Sequence, residues 1–141
     1  MIILDTNVVS ETMRPKPDER VMRWLDRQPP SSIWTTSVTL FEIRFGLETM
    51  PAGKRRTAFI ASFERWLGDV VEQRIASYDE TAARRAAELG ADRERRGRPG
   101  ELRDIMIAGI VLASHATLAT RNVKHFEDIA KSVVNPWESS R

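Results

Sequence analysis

The feature that most constrains the fold is an alternation of short strand-like segments with longer helical ones. The strand-like segments are residues 1–4, 33–36, 72–78, 117–120 and 132–137. The helical patterns between them cover residues 18–28, 37–50, 56–69, 79–97, 101–115 and 122–130. Strands that alternate with helices in this way predict an α/β fold, with a parallel or mostly parallel sheet and helices on both faces.

The predicted helices have recognisable ends. Asp18 suits the N-cap of the helix at 18–28, and Ser37 suits the N-cap of the helix at 37–50. A Pro-Ala-Gly sequence at 51–53 stops the latter, so residues 37–68 roughly form a helical hairpin. No shift in composition marks a boundary, and we therefore expect residues 1–141 to form a single domain. We expect the tail from about residue 136 to be flexible, except where Trp137 packs.

Composition excludes several classes of protein. The chain has 141 residues, of which 41% are hydrophobic and 30% charged, as in ordinary globular domains. It contains no apolar run long enough to cross a bilayer and no signal peptide, so we expect a cytoplasmic protein. The absence of cysteine excludes disulfides and thiolate metal sites. Two histidines argue against a zinc site, so that any metal would be a hard cation held by oxygens.

Three acidic residues stand where acids are uncommon. Asp5 follows the apolar segment at 1–4, Glu42 lies on a mostly apolar helical surface, and Asp104 precedes the run IMIAGIVL. If the first strand is central, Asp5 lies at its carboxyl end, where α/β proteins bind ligands, and the other two acids can flank that crevice. Buried carboxylates require pairing, protonation or a cation. Mg²⁺ or Mn²⁺ is the natural counter-ion for three of them.

Each acid also has a purely structural interpretation. Asp5 could cap a helix that begins at the next residue. Glu42 could pair with Arg44 or Arg65, and Asp104 could complement the positive end of its helix. The sequence by itself leaves these alternatives open.

The segment LATRN adds two polar side chains after another strand-like segment. Thr120 and Asn122 can both turn oxygens toward the same crevice. Asn122 also suits the N-cap of the helix at 122–130, and the two roles are compatible.

Together these residues resemble the PIN-domain ribonucleases, specifically the VapC/FitB-like toxins of bacterial type II toxin–antitoxin systems. The resemblance rests on the ordered segments ILDTNVVSE, TTSVTLFEIRFGL, LRDIMIAGIVLASHATLATRNVKHFE and VVNPW, and it spans nearly the whole chain. It implies a PIN-like three-layer α/β/α sandwich with a central, mostly parallel sheet of about five strands. It also implies an endoribonuclease that uses Mg²⁺ or Mn²⁺ and leaves 5′-phosphate and 3′-hydroxyl ends.

The resemblance also implies a set of site residues. The catalytic and metal-binding acids are Asp5, Glu42 and Asp104, and the supporting polar residues are Thr6, Asn7, Thr120 and Asn122. Many members of the family carry a fourth acid where this chain has Asn122, and frequently another where it has His125. Because an amide oxygen holds a cation less firmly than a carboxylate does, the number of ions bound, one or two, stays open.

A cluster of arginines lies in the segment RERRGRPGELRD. The formal net charge of +2 does not by itself indicate a nucleic-acid partner, and such a cluster is usually a solvated surface. An acidic site that acts on a polyanion nevertheless needs basic surroundings, and Arg103 directly precedes Asp104. Arg96, Arg98 and Arg103 are therefore candidate contacts to the RNA backbone.

The resemblance implies a cognate antitoxin protein, whose tail lies across the active site, and a homodimer. The hairpin contains five aromatic residues that form either core or a docking surface for one of these partners. They are Phe41, Phe45, Phe59, Phe63 and Trp66. The alternative to a toxin nuclease is a catalytically weak PIN-like module that binds RNA or protein.

Overall fold

The computed structural model describes residues 1–138, which form a five-stranded sheet with helices on both faces. The strands are β1 (Ile2–Leu4), β2 (Ile33–Thr36), β3 (Ile75–Ala76), β4 (Thr117–Ala119) and β5 (Val133–Val134). The helices are α1 (Thr6–Thr12), α2 (Glu19–Asp26), α3 (Ser37–Thr49), α4 (Lys54–Asp69), α5 (Glu80–Arg95) and α6 (Leu102–Ser114). Two 3₁₀ segments cover Pro30–Ser32 and Val123–Ser132.

The sheet is parallel throughout and has β1 at its centre. Its strand order is β3-β2-β1-β4-β5, and Ile2 is paired with both Ile33 of β2 and Thr117 of β4. The chain first builds the sheet outward from β1 through β2 and β3, and then returns to place β4 on the other side of β1. Such a reversal opens a crevice at the carboxyl ends of the two strands. The predicted α/β fold class, with about five strands and helices on both faces, is confirmed.

The two faces of the sheet carry separate cores because successive strand residues point to opposite sides. Ile3 and Leu118 join one core, whereas Leu4 and Ala119 join the other. The first core is completed by side chains of α5 and α6, including Ala82, Ile107, Ile110 and Val111. The second is completed by side chains of α1, α2 and α4, including Val8, Val21, Trp24, Phe63 and Leu67. Both sides of the central strand are therefore sealed from solvent, except at its end.

The helix caps confirm one sequence prediction and correct another. Asp18 caps α2 by accepting a hydrogen bond from the backbone N–H of Arg20 at 2.8 Å. The cap of α3 is Thr36, whose hydroxyl accepts from the backbone N–H of Thr39 at 3.0 Å, and the predicted cap Ser37 is already helical. Strand β2 runs directly into α3, so its last extended residue takes the capping position.

Helices α3 and α4 occupy 37–49 and 54–69 and contact each other through polar side chains. Arg44 of α3 pairs with Glu64 of α4 at 2.9 Å. Arg56 of α4 donates to the carbonyl of Leu47 at 2.8 Å. These contacts join the two helices of the hairpin that the sequence indicates.

The five aromatic residues of the hairpin divide into two groups. Phe63 and Trp66 are buried and stack with their ring centroids 6.3 Å apart. Phe41 and Phe45 are 53% and 54% exposed, and Phe59 is 36% exposed. The interpretation that all five are core is therefore wrong for three of them. Phe41 and Phe45 lie on the outer face of α3, which no other element among the described residues covers, and Phe59 of α4 lines an open groove.

The last predicted helix is a 3₁₀ segment instead of an α-helix. Its backbone leaves helical geometry at Phe126 and Ile129, both of which are buried. Both side chains belong to the core on the α5–α6 side of the sheet, so the backbone departs from helical geometry where the segment packs into that core.

The C-terminal tail packs through Trp137, which is 5% exposed and lies under the guanidinium of Arg121 at 4.9 Å from the ring centroid. The rest of the predicted flexible tail, residues 139–141, lies outside the described residues. Of the helices described, none has the length and apolar character needed to cross a membrane.

The close packing of α5 on α6 depends on Gly109. A Cβ atom at this position would lie 2.4 Å from the carbonyl oxygen of Ala82 and 2.7 Å from the Cβ of Ala86. We expect Gly109→Ala to lower the free energy of unfolding by about 1–3 kcal/mol, as overpacking does. Urea denaturation measures this change in the free energy of unfolding. In the matched control Gly46→Ala the new methyl group meets nothing within 4 Å, and a gain of up to about 1 kcal/mol is expected from helix propensity. Equal effects of the two substitutions would contradict this packing.

Candidate active site

Asp5 ends the central strand and at the same time caps a helix. Its backbone N–H continues the sheet by donating to the carbonyl of Ala119 at 3.1 Å. Its Oδ1 accepts from the backbone N–H of Val8 at 3.1 Å, which caps α1, and its Oδ2 accepts a short hydrogen bond from the hydroxyl of Thr120. The helix-cap interpretation and the strand-end interpretation of this residue therefore both describe the structure. The side chain is only 6% exposed.

Thr120 directly follows β4 and is fully buried. Besides donating to Asp5, its hydroxyl accepts from the backbone N–H of Asn122 at 3.0 Å. Asn122 occupies the N-cap position of the segment Val123–Ser132, as the sequence indicates, and its carbonyl accepts from the N–H of His125. Its side chain makes no capping hydrogen bond among the described residues. Asn7 likewise has an exposed side chain, and its backbone N–H reaches Asp5.

Glu42 is positioned by α3 and is partly buried. Its Oε1 accepts from the hydroxyl of Thr6 at 2.7 Å, and its Oε2 lies 3.4 Å from Nη1 of Arg103. The predicted alternatives, pairing with Arg44 or Arg65, are wrong. Arg44 is two residues further along α3, which places it on another face of the helix, where it pairs with an acid of α4. Arg65 contacts a serine of its own helix.

Asp104 lies in the first turn of α6, and its Oδ2 is 3.0 Å from Nδ1 of His125. Two of the three predicted site acids are therefore in contact with a basic side chain of this chain, Glu42 with Arg103 and Asp104 with His125. The side chains of Arg103 and His125 are 52% and 51% exposed. Ion pairs this exposed to solvent contribute little to stability and are easily exchanged for other partners.

The acids influence one another electrostatically. Burial raises the pKa of Asp5 to about 6, the negative charge of Asp104 adds to this, and the hydrogen bonds from Thr120 and the backbone oppose it. Burial also raises the pKa of Asp104; contact with His125 lowers it, and the charges of Glu101 and Glu42 raise it. Asp104 thus lies within electrostatic range of both other acids, and the site has an excess of negative charge that a cation would relieve.

The donor set suits a hard divalent cation. All three candidate ligands are carboxylates, the oxygen ligands that Mg²⁺ and Mn²⁺ prefer. In the part of the chain that the structure describes, however, no three acidic or histidine side chains already stand close enough together to hold an ion. The basic side chains that pair with Glu42 and Asp104 are half-exposed, so the two carboxylates can turn toward a shared ion. The three-acid ligand set stays a prediction.

The candidate RNA-binding arginines lie beside these acids. Arg96 pairs with Asp92 at 3.1 Å, and Arg98 pairs with Glu127 at 2.9 Å. Both arginines and Asp104 line the same cavity, which has a volume of about 660 Å³. Its lining includes Arg96, Arg98, Lys124, His125 and Asp104. Each arginine is therefore already paired with an acid, yet the same cavity connects both of them to Asp104.

Arg93 was not singled out by the sequence, although it holds part of the site in place. It is 7% exposed, and its Nε and Nη2 donate to the carboxylate of Asp128 at 2.7 and 2.8 Å. The same Nη2 donates to the backbone carbonyl of His125 at 2.9 Å. In the sequence Arg93 is one of several arginines in a basic run, and its partners lie more than thirty residues away, so no local signal distinguishes it.

The raised pKa of Asp5 predicts an unusual dependence of stability on pH. Between pH 3.8 and about 6 the folded chain holds a proton on Asp5 that the unfolded chain releases, so stability falls as pH rises through this window. We expect Asp5→Asn, which keeps the helix cap, to raise the free energy of unfolding at pH 7.5 by on the order of 1–3 kcal/mol. The gain should disappear toward pH 4. Urea denaturation in EDTA across this pH range measures it.

The matched control is Asp18→Asn, because Asp18 caps α2 as Asp5 caps α1. Hydrogen bonds from Arg20 lower the pKa of Asp18 to about 2, so its carboxylate is favoured in the folded state. This substitution should lower stability at pH 7.5. The same sign for both variants would contradict the electrostatic description of Asp5.

Comparison with known proteins assigns the fold to a family. The PIN domain family matches residues 2–132. The chain is 38% identical to the plasmid stability protein StbB of Pseudomonas syringae pv. tomato over 99% of this chain and 100% of that protein. It is 38% identical to the VapC ribonuclease Y4jK of Sinorhizobium fredii over 98% and 99%. The solved structure of FitAB bound to an IR36 DNA fragment contains a chain with a TM-score of 0.89 and 31% identity, over 100% of this chain and 99% of that one. The protein belongs to the PIN domain family.

Proposed function

We propose that this PIN-domain protein is a metal-dependent endoribonuclease that acts as the toxin of a toxin–antitoxin pair. It hydrolyses RNA phosphodiesters with metal-activated water, and its catalytic acids are Asp5, Glu42 and Asp104. The observation that carries the proposal is the position of Asp5, a buried carboxylate at the reversal of strand order, coupled to Asp104. The similarity to a VapC ribonuclease over nearly the whole chain supports the same activity.

Asp5 and Asp104 are the direct ligands of Mg²⁺ or Mn²⁺ in this proposal, and Glu42 is a ligand either directly or through water. A divalent cation bound there supplies a nucleophilic water at neutral pH and relieves charge on the reacting phosphate. A buried, negatively charged site needs such a cation before a polyanionic substrate can approach. The number of ions, one or two, is left open because Asn122 provides an amide and not a carboxylate.

The remaining polar residues hold these acids in position. The hydroxyl of Thr120 binds Oδ2 of Asp5, and the hydroxyl of Thr6 binds Oε1 of Glu42. Glu42 is thereby left with Oε2, whose contact with Arg103 is long at 3.4 Å, to accept the proton of the attacking water. The backbone of Asn7 fixes the turn after β1, and Asn122 orients water at the rim of the site.

The substrate strand contacts Arg96, Arg98 and Arg103. The first two line the cavity beside Asp104, and the third lies against Glu42. RNA phosphates would compete with Asp92 and Glu127 for the first two guanidinium groups. The exposure of these ion pairs allows that exchange, because such pairs are weak in water.

An antitoxin and a second copy of the chain are the proposed protein partners. A mostly apolar groove of about 900 Å³ begins at Thr6 and Glu42 and runs along α3 to Phe59 of α4. An antitoxin segment in this groove would cover the site, and the FitAB structure is a precedent for an assembly of a related fold. The exposed pair Phe41 and Phe45, 5.7 Å apart, lies outside this groove and suits a homodimer contact.

Cleavage of RNA by the purified chain tests the activity. We expect cleavage of total RNA with Mg²⁺ or Mn²⁺, none in EDTA, and a loss of at least about a hundredfold in Asp104→Asn, the scale on which removing one transition-state interaction acts. Asp69→Asn, a matched change at an exposed position far along α4, should cleave normally. Cleavage that survives EDTA or Asp104→Asn would contradict the mechanism. RNA binding without metal-dependent cleavage would favour the weak binding module instead.

Binding of RNA at several salt concentrations tests the arginines. Substituting Arg96 and Arg98 together with alanine should weaken binding and reduce the salt slope by about 1 for each phosphate that the variant no longer binds. The double variant of Arg84 and Arg85 removes the same charge from the opposite end of α5 and should bind as the unmodified chain does. If both double variants weakened RNA binding equally, the loss would come from the lower net charge of the chain, and the proposed contacts of Arg96 and Arg98 would be wrong.

A further inference from the structure

We infer that His125 is a nitrogen ligand of the divalent cation, beside Asp104, and that it shifts the preference of the site from Mg²⁺ toward Mn²⁺. This inference rests on the proposed function, because it concerns the cation of the same site. It also assigns a role to the imidazole that stands where the family frequently has an acid. His125 is thus a residue that determines metal specificity.

The first argument is the spacing of the two side chains. Nδ1 of His125 and Oδ2 of Asp104 are 3.0 Å apart. Two adjacent ligands of an octahedral ion, each about 2.1 Å from the metal, are separated by about 3.0 Å. Both atoms can therefore bind one ion at their present separation, once the half-exposed imidazole turns so that Nδ1 points at the ion.

The second argument is that the backbone of His125 is fixed. Its N–H donates to the carbonyl of Asn122 at 3.0 Å, and its carbonyl accepts from Nη2 of Arg93 at 2.9 Å. Arg93 is buried and is itself held by two hydrogen bonds to Asp128. A residue held this way presents its imidazole to Asp104 from a defined position, whereas the half-exposed ring keeps the freedom to adjust to an ion.

The third argument is the chemistry of the imidazole group. Mg²⁺ binds oxygen almost entirely and keeps several of its waters, whereas imidazole nitrogen is a common ligand of first-row transition metals. Replacing a carboxylate by a neutral imidazole also removes one negative charge from a site that already holds three acids. The loss of charge weakens both dications alike, whereas the nitrogen donor weakens Mg²⁺ more than Mn²⁺ when compared with an aspartate at the same position.

Pulsed electron paramagnetic resonance of the full chain loaded with Mn²⁺ alone tests the ligand directly. We expect electron spin-echo modulation from a coordinated ¹⁴N nucleus, replaced by that of ¹⁵N when histidine is ¹⁵N-labelled. The chain has two histidines. The modulation should disappear in His125→Ala and persist in His115→Asn, a control at the C-cap of α6 whose φ of 51° asparagine tolerates. The labelled unmodified chain makes the test independent of any effect of a substitution on folding.

Calorimetry with each metal gives the second readout. His125→Asp should shift the ratio of Mn²⁺ to Mg²⁺ affinity toward Mg²⁺ by at least about tenfold, the scale on which changes around metal ligands act. Bound Mn²⁺ without nitrogen modulation, or modulation that disappears only in His115→Asn, would overturn this inference and leave the nuclease proposal intact. Failure of the unmodified chain to bind Mn²⁺ would overturn this inference alone, and failure to bind either Mn²⁺ or Mg²⁺ would overturn both.

Discussion

The buried carboxylate of Asp5 is the constraint on which the rest of the site depends. It lies where the strand order reverses, between β1 and β4, and is held by Thr120 and the N-terminus of α1. Burying a carboxylate destabilises the folded chain unless a cation or a hydrogen-bond donor offsets it. The hydrogen bonds fix the position of the group but only partly offset its burial, as the raised pKa indicates. The folded chain is therefore less stable at neutral pH than it would be without this buried charge, and the charge lies where the proposed function requires it.

The other two acids differ from Asp5 because each has a partly exposed side-chain partner. Glu42 and Asp104 each turn toward a basic side chain of the same molecule, Arg103 and His125. Since both partners are half-exposed, these contacts add little to the stability of the fold. Each acid can therefore exchange its partner for another cation. The deeply buried acid is thus rigid, whereas the two acids nearer the surface have alternative partners. In the proposed metal site, Asp5 would therefore be the fixed ligand, and Glu42 and Asp104 would be the adjustable ones.

The fold was largely predictable because its signals are local. Most strands and helices follow from a run of apolar residues, a period or a cap within a few positions. Helix α1 appeared only in the alternative interpretation of Asp5 as a cap, and β3 and β5 are shorter than the predicted segments. The structure differs from the prediction where packing against another element set the local conformation or the exposure of a side chain. Thr36 replaced Ser37 as a cap because a strand runs directly into the helix. The segment Val123–Ser132 leaves helical geometry at Phe126 and Ile129, the two residues that pack into the core. The aromatic residues of α3 remain exposed because no other described element covers that face.

The sequence by itself determined where along the chain the five strands lie, that an acid follows the first of them, and that Glu42 and Asp104 stand on unusually apolar helices. The identity of the three acids as one site stays a prediction. Only the tertiary structure determined which side chains these acids and their neighbouring arginines contact. Arg103 meets Glu42 across 61 positions of sequence, and Arg93 meets Asp128 across 35. Such contacts depend on the order of strands in the sheet, which brings distant segments to one edge. Local patterns carry no information about that order, because many arrangements of the same strands bury the same apolar side chains.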